Sequence, residues 1–159
     1  MRAVGTPVLL AATLATGLMA GLFAAFSYAV LPGLGRAGDA VFVESVQRIN
    51  VAILNGWFGL CFGGALVCSA VAAVLLRGGP ALPWVLAGLL LYAATLAITF
   101  TVSVPLNDRL AAAGAADPAA ARAAFETAWV RWNVLRSVLS LAAFGCLAWA
   151  LVLHGRATG

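Results

Sequence analysis

Val8-Leu-Leu-Ala-Ala-Thr-Leu-Ala-Thr-Gly-Leu-Met-Ala-Gly-Leu-Phe-Ala-Ala-Phe-Ser-Tyr-Ala-Val-Leu31 runs without a single charge. As a helix it covers about 36 Å at 1.5 Å per residue, and a bilayer's hydrocarbon core is roughly 30 Å thick. Arg2 ahead of it gives the run the look of a signal peptide, but such a leader carries an apolar stretch of only about 7–15 residues. The run therefore reads as a membrane span.

Working outward, the pattern repeats. No charge falls between Arg2 and Arg36, Arg48 and Arg77, Arg77 and Asp108, or Arg136 and Arg156. Of the 159 residues 64% are hydrophobic and 9% charged, against roughly 45–50% and about 25% in soluble domains; mean hydropathy is +1.07. So few charges cannot clothe a water-facing surface. The expectation is an all-α, up-down-up-down bundle forming one domain over 1–159, with spans at about 8–31, 49–76, 83–104 and 137–153 and with helices 2 and 4 extended beyond the membrane. Asp39 is the N-cap candidate for a helix entering the second span, Pro105 ends or kinks the third, and Asp117-Pro118 opens a long fourth helix.

Four spans put both termini and the turn Arg77-Gly-Gly-Pro-Ala-Leu-Pro83 on one side. A raw arginine count would make the opposite side cytoplasmic. Several arginines there have acids or a site to serve, however, so the termini are assigned to the cytoplasm and the protein to a bacterial inner membrane. Nine arginines against five acids, with no lysine, form no dense basic face, which excludes nucleic acid as a partner. Small residues at a spacing of four, Gly17/Gly21 and Gly59/Gly63, would let helix backbones approach closely, within the chain or between copies in a homo-oligomer.

Polar residues inside spans are expensive and turn inward. Here they gather at one end: Tyr28 on the first span; Glu44, Gln47, Arg48, Asn50 and Asn55 on the second; Asn107, Asp108 and Arg109 on the third; Trp129, Trp132, Asn133 and Arg136 on the fourth. Helical spacing places Glu44, Arg48, Val51 and Asn55 on one face, and Trp129, Trp132, Asn133, Arg136 and Ser140 on another. Tryptophan and arginine also anchor helix ends. Four amides and a guanidinium at one depth, however, make a ligand-orienting set. Glu44 and Asp108 are the acids placed to act as a base, or else to pair with Arg48, Arg109 or Arg136. Gly33-Leu-Gly35-Arg-Ala-Gly38 matches G-x-G-x-x-G but follows a membrane helix where a dinucleotide site needs a strand. Cys61, Cys68, Cys146 and the lone His154 have no metal-ligand spacing.

Gln47-Arg-Ile-Asn50 with Asn55, Val104-Pro-Leu-Asn-Asp108, and Trp129-Val-Arg-Trp-Asn-Val-Leu-Arg136 resemble, in order and spacing, the small four-helix integral membrane proteins grouped with anthrone oxygenases. The resemblance extends over essentially the whole chain. It implies cofactor-independent oxidation by O2 of a small lipophilic substrate, a polycyclic phenol or related carbon acid. Such proteins often carry a histidine in the last motif, where this chain has Asn133-Val134. The implied roles are Arg136 as anion partner, Asp108 or Glu44 as base, and Asn50, Asn55, Asn107 and Asn133, with Gln47, Trp129, Trp132 and Tyr28, as the substrate-binding wall. The contrasting reading is a non-catalytic membrane module that binds a lipid, quinone or partner protein. A proton-coupled transporter is disfavoured, because no ionisable group lies mid-span.

Overall fold

Backbone amides in hydrocarbon must find partners within their own segment, and all four apolar runs are helical. The structure, a computed structural model, describes residues 2–113 and 116–158. The elements are α1 (Arg2–Ala25), a π-turn (Phe26–Val30), α2 (Leu31–Leu34), α3 (Asp39–Ala52), α4 (Gly56–Leu75), α5 (Leu82–Ile98), a second π-turn (Thr99–Ser103), α6 (Val104–Ala112) and α7 (Pro118–Thr158). The continuous stretches Val4–Leu34, Gly56–Leu75, Leu82–Ala112 and Pro118–Thr158 are long and apolar enough to cross a membrane. The expected all-helical four-span bundle is what forms. At 41 residues, α7 measures about 61 Å and extends well beyond a bilayer core.

Each π-turn ends two residues before a proline. Pro32 and Pro105 lack an N–H, and each ring crowds the carbonyl four residues back. The preceding turn widens instead of breaking: Leu31 N–H bonds Phe26 O and Val104 N–H bonds Thr99 O, each five residues back. The third helix thus continues past Pro105 to Ala112.

The second helix does break. Asn55 takes an extended conformation (φ −117°, ψ 165°), its Oδ1 accepts from Phe58 N at 2.9 Å, and its Nδ2 donates to Ala52 O at 3.0 Å. One side chain closes the C-terminus of α3 and the N-terminus of α4. Asn55 therefore does not continue the Glu44–Arg48 face, and the extension ahead of the second span is a separate helix. The cap of α3 also differs from expectation: Gly38 is its N-cap, and Asp39 accepts from Arg122 Nη1 at 3.0 Å. Asp117 does cap α7, accepting from Ala120 N at 3.0 Å.

The core lies in three layers along the bundle. Leu9, Ala72, Leu76, Val85 and Leu147 pack at the end holding the termini, where Thr6 Oγ1 and His154 Nε2 sit 3.1 Å apart. Met19, Phe62, Ala65, Tyr92 and Ala143 form the middle, with Tyr92 Oη donating to Phe62 O at 3.0 Å. Phe42, Val46, Leu110, Phe125 and Trp129 join α3, α6 and α7 at the far end.

A close approach of helix backbones occurs at Gly88, which is not one of the glycines singled out from sequence. A Cβ on Gly88 would stand 2.9 Å from Leu147 Cγ and 3.2 Å from Ala143 O, so α5 and α7 meet there almost backbone to backbone. Gly17 faces the Phe144 ring, whereas a Cβ on Gly21, Gly59 or Gly63 would meet nothing within 4 Å.

Candidate functional site

Between the middle and far core layers the helices enclose a cavity of about 570 Å³, within the usual 300–1,000 Å³ of small-molecule sites. All four membrane-length stretches contribute to its wall. Phe23 comes from α1, Phe26 from the first π-turn, Gln47 and Asn50 from α3, Asn55 from the break, and Phe58, Gly59 and Phe62 from α4. Thr99, Phe100 and Ser103 come from the second π-turn, Asn107 and Asp108 from α6, and Trp129, Asn133 and Arg136 from α7.

Arg136 dominates the electrostatics. It is 4% exposed, donating from Nη1 to Thr99 Oγ1 at 3.2 Å and from Nη2 to Asn133 Oδ1 at 2.9 Å. Its guanidinium lies over the Phe23 ring at 4.6 Å and the Trp129 ring at 5.3 Å. No carboxylate pairs with it among the described residues, whose ion pairs are Arg48–Glu44, Arg122–Asp39 and Arg122–Glu126, and its buried Nε has no partner. Cation–π contacts recover about 2 kcal/mol when desolvated, while burying an unpaired ion costs several kcal/mol. The cavity therefore favours an anion at this point.

Asn133 is committed to the protein. Its Nδ2 donates to Phe23 O at 3.0 Å and Ser27 Oγ at 2.8 Å, and its Oδ1 accepts from Arg136. It holds the guanidinium against α1 and has no donor left for a ligand. Asn107 differs: its Oδ1 accepts from Trp129 Nε1 at 2.8 Å, leaving the Nδ2 donors. Gln47 ties α3 to α6, donating to Leu110 O at 2.8 Å. Asn50 and Asp108 line the wall, and neither side chain has a hydrogen-bond partner among the described residues.

Three of the sequence candidates stand off the wall. Glu44 accepts from Arg48 Nη2 at 2.6 Å on the outer face of α3, because that helix buries its Phe42, Val43 and Val46 side instead. Tyr28 is 74% exposed, turned out where its π-turn neighbour Ser27 meets Asn133. Trp132 falls beside the buried stripe Trp129, Asn133, Arg136 and Ser140 and is 38% exposed.

Sequence reasoning missed the aromatic wall. Phe58 stacks on Phe62 at 5.1 Å, and Phe62 meets Phe100 edge-on at 6.0 Å; the Phe58/Phe62 spacing just after Asn55 was the available signal. It also missed the clamp outside the membrane. There Arg122 donates to Gly35 O at 2.8 Å, Ala37 O at 3.0 Å, Asp39 at 3.0 Å and Glu126 at 2.7 Å. The Glu126 hydrogen bond, more than the Asp39 contact, lifts the guanidinium further above its ordinary range. This clamp fastens the α2–α3 connection to α7.

No cluster of three metal-ligating side chains occurs among the described residues. The cysteines are scattered and His154 is at the opposite end.

A family model described as anthrone oxygenase matches residues 56–146. That range takes in the second and third sequence motifs and leaves Gln47–Asn55 outside. No curated protein and no solved structure matches the chain.

Proposed function

The chain belongs to the anthrone oxygenase family, and on that premise we propose that it is an integral membrane oxygenase that oxidises a lipophilic carbon acid, such as a polycyclic phenol, with O2. The observation supporting this is Arg136, a buried cation with no acidic partner among the described residues, in an aromatic-walled cavity. Asp108 takes a proton from an activated ring CH2. The resulting carbanion delocalises onto the ring oxygen, and Arg136 with the Asn107 amide stabilises that oxyanion. An electron passes from the carbanion to O2, the radical pair combines to a peroxide, and loss of water leaves a ketone: CH2 plus O2 gives C=O plus H2O. Asn50 and Asn55 orient the ring edge near the mouth. The reaction draws on no resident cofactor. The protein is assigned to a bacterial cytoplasmic membrane with its termini inside.

The test is O2 uptake by purified protein given a hydroxylated anthrone. One O2 consumed per quinone formed, well above spontaneous oxidation and lost in Asp108→Asn, is the expected result. A rate no greater than the spontaneous one overturns the reading. It would favour the non-catalytic binding module, which the exposure of Asp108 at the mouth otherwise supports.

A further inference from the structure

Two observations meet at this cavity. The first, shared with the proposed reaction, is that Arg136 has no carboxylate partner among the described residues, and its buried Nε has no acceptor. The second is that the wall opens sideways. Beyond the Phe62–Phe100 ring pair, α6 packs on α3 and α7 rather than on α4, leaving a rim of Phe58, Gly59, Phe100 and Val104. Phe100 is 61% exposed, and a Cβ on Gly59 would meet nothing within 4 Å. Gly59 lies three residues inside α4, about 4.5 Å along a helix whose 20 residues just span the hydrocarbon. The opening therefore faces lipid.

We propose that the cavity is a binding site for a lipophilic carboxylate, a single-chain fatty-acid anion that passes from the bilayer between Gly59 and Phe100 and supplies the counter-charge Arg136 lacks. A carboxylate presents two coplanar oxygens to the guanidinium fork. Its chain lies among Phe23, Phe58 and Phe62. A phospholipid would have to pull its glycerol and second chain away from the interface to bring a phosphate so deep. The inference shares its cavity with the proposed reaction but does not depend on it: the fatty anion competes with substrate, and its binding needs no turnover.

The test is native mass spectrometry of the full chain in detergent micelles with oleate, its uncharged twin oleyl alcohol, or phosphatidylglycerol. The expected result is one oleate per chain, bound at least tenfold tighter than oleyl alcohol. Affinity should fall tenfold or more in Arg136→Gln and in Asn133→Asp, the second of which gives the guanidinium an internal carboxylate. Gly59→Trp, which fills the rim, should lower occupancy as well. Oleyl alcohol binding as tightly as oleate, phosphatidylglycerol retained in its place, or unchanged affinity in Arg136→Gln overturns the inference. The comparison of ligands on the unmodified chain decides it even where a variant fails to fold. A chain that turns over substrate but ignores oleate contradicts this inference alone, and one that binds oleate but consumes no O2 contradicts the reaction alone.

Discussion

Asn133 Oδ1 accepts from Arg136 Nη2 at 2.9 Å, while its Nδ2 holds Phe23 O and Ser27 Oγ. Three residues apart on α7, the two side chains form a unit in which the amide fixes the cation against the first span. Asn133→Leu keeps the volume but leaves the buried Arg136 Nη2 without its acceptor, while Phe23 O keeps the Ser27 hydroxyl at 3.1 Å. The expected cost is about 1–3 kcal/mol, read by thermal unfolding in detergent, with kcat falling more than KM rises. A loss of stability at unchanged kcat would make Asn133 a packing residue only.

Asn55 joins two helices through one side chain. Asn55→Ala should destabilise by about 1 kcal/mol, whereas Asn55→Asp, also a good N-cap, should stay close to the parent. Equal thermal midpoints for the alanine variant and the parent would remove the cap from the energetics.

Gly88 and Gly21 give opposite expectations. Gly88→Ala brings a Cβ against Leu147 and the Ala143 carbonyl, where overpacking costs about 1–3 kcal/mol. Gly21→Ala meets open space and should be neutral or slightly stabilising, since alanine favours helix. Similar midpoints for the two variants would contradict the close α5–α7 approach.

Arg122 fastens the α2–α3 connection through two carbonyls and two carboxylates. Arg122→Ala should lower the thermal midpoint and open the segment around Gly35–Gly38 to protease, while the spans stay resistant. Unchanged cleavage kinetics would show that α3 is held by its buried Phe42, Val43 and Val46 alone.

The spans were legible because charge-free runs leave one option for a chain in lipid. The break at Asn55 was not, because the helical periodicity of Glu44, Arg48 and Val51 runs straight through it. What ends the helix is a local cap, and its signal was a lone asparagine before glycine in an apolar run. Pro32 and Pro105 marked interruptions, but a proline alone does not decide whether a helix stops or widens into a π-turn; the packing around it does. Arg136 and the amides stood out as polar residues in apolar surroundings. Phe23, Phe58 and Phe100 did not, since nothing in an apolar helix distinguishes a ring facing a cavity from one facing lipid. Glu44 and Tyr28 lie off the cavity wall for the converse reason: they sit near the membrane boundary, where outward polar residues cost little.

The most direct measurement is kcat/KM of Arg136→Lys for an anthrone in O2-saturated detergent solution. Lysine keeps the charge and the reach of an interfacial anchor but loses the planar fork that can hold Thr99, Asn133 and an oxyanion together. The expected result is a folded protein whose kcat/KM is down tenfold or more, about 1.4 kcal/mol or greater. A lysine variant with full activity would show that Arg136 is a helix-end anchor and that the oxyanion is stabilised elsewhere.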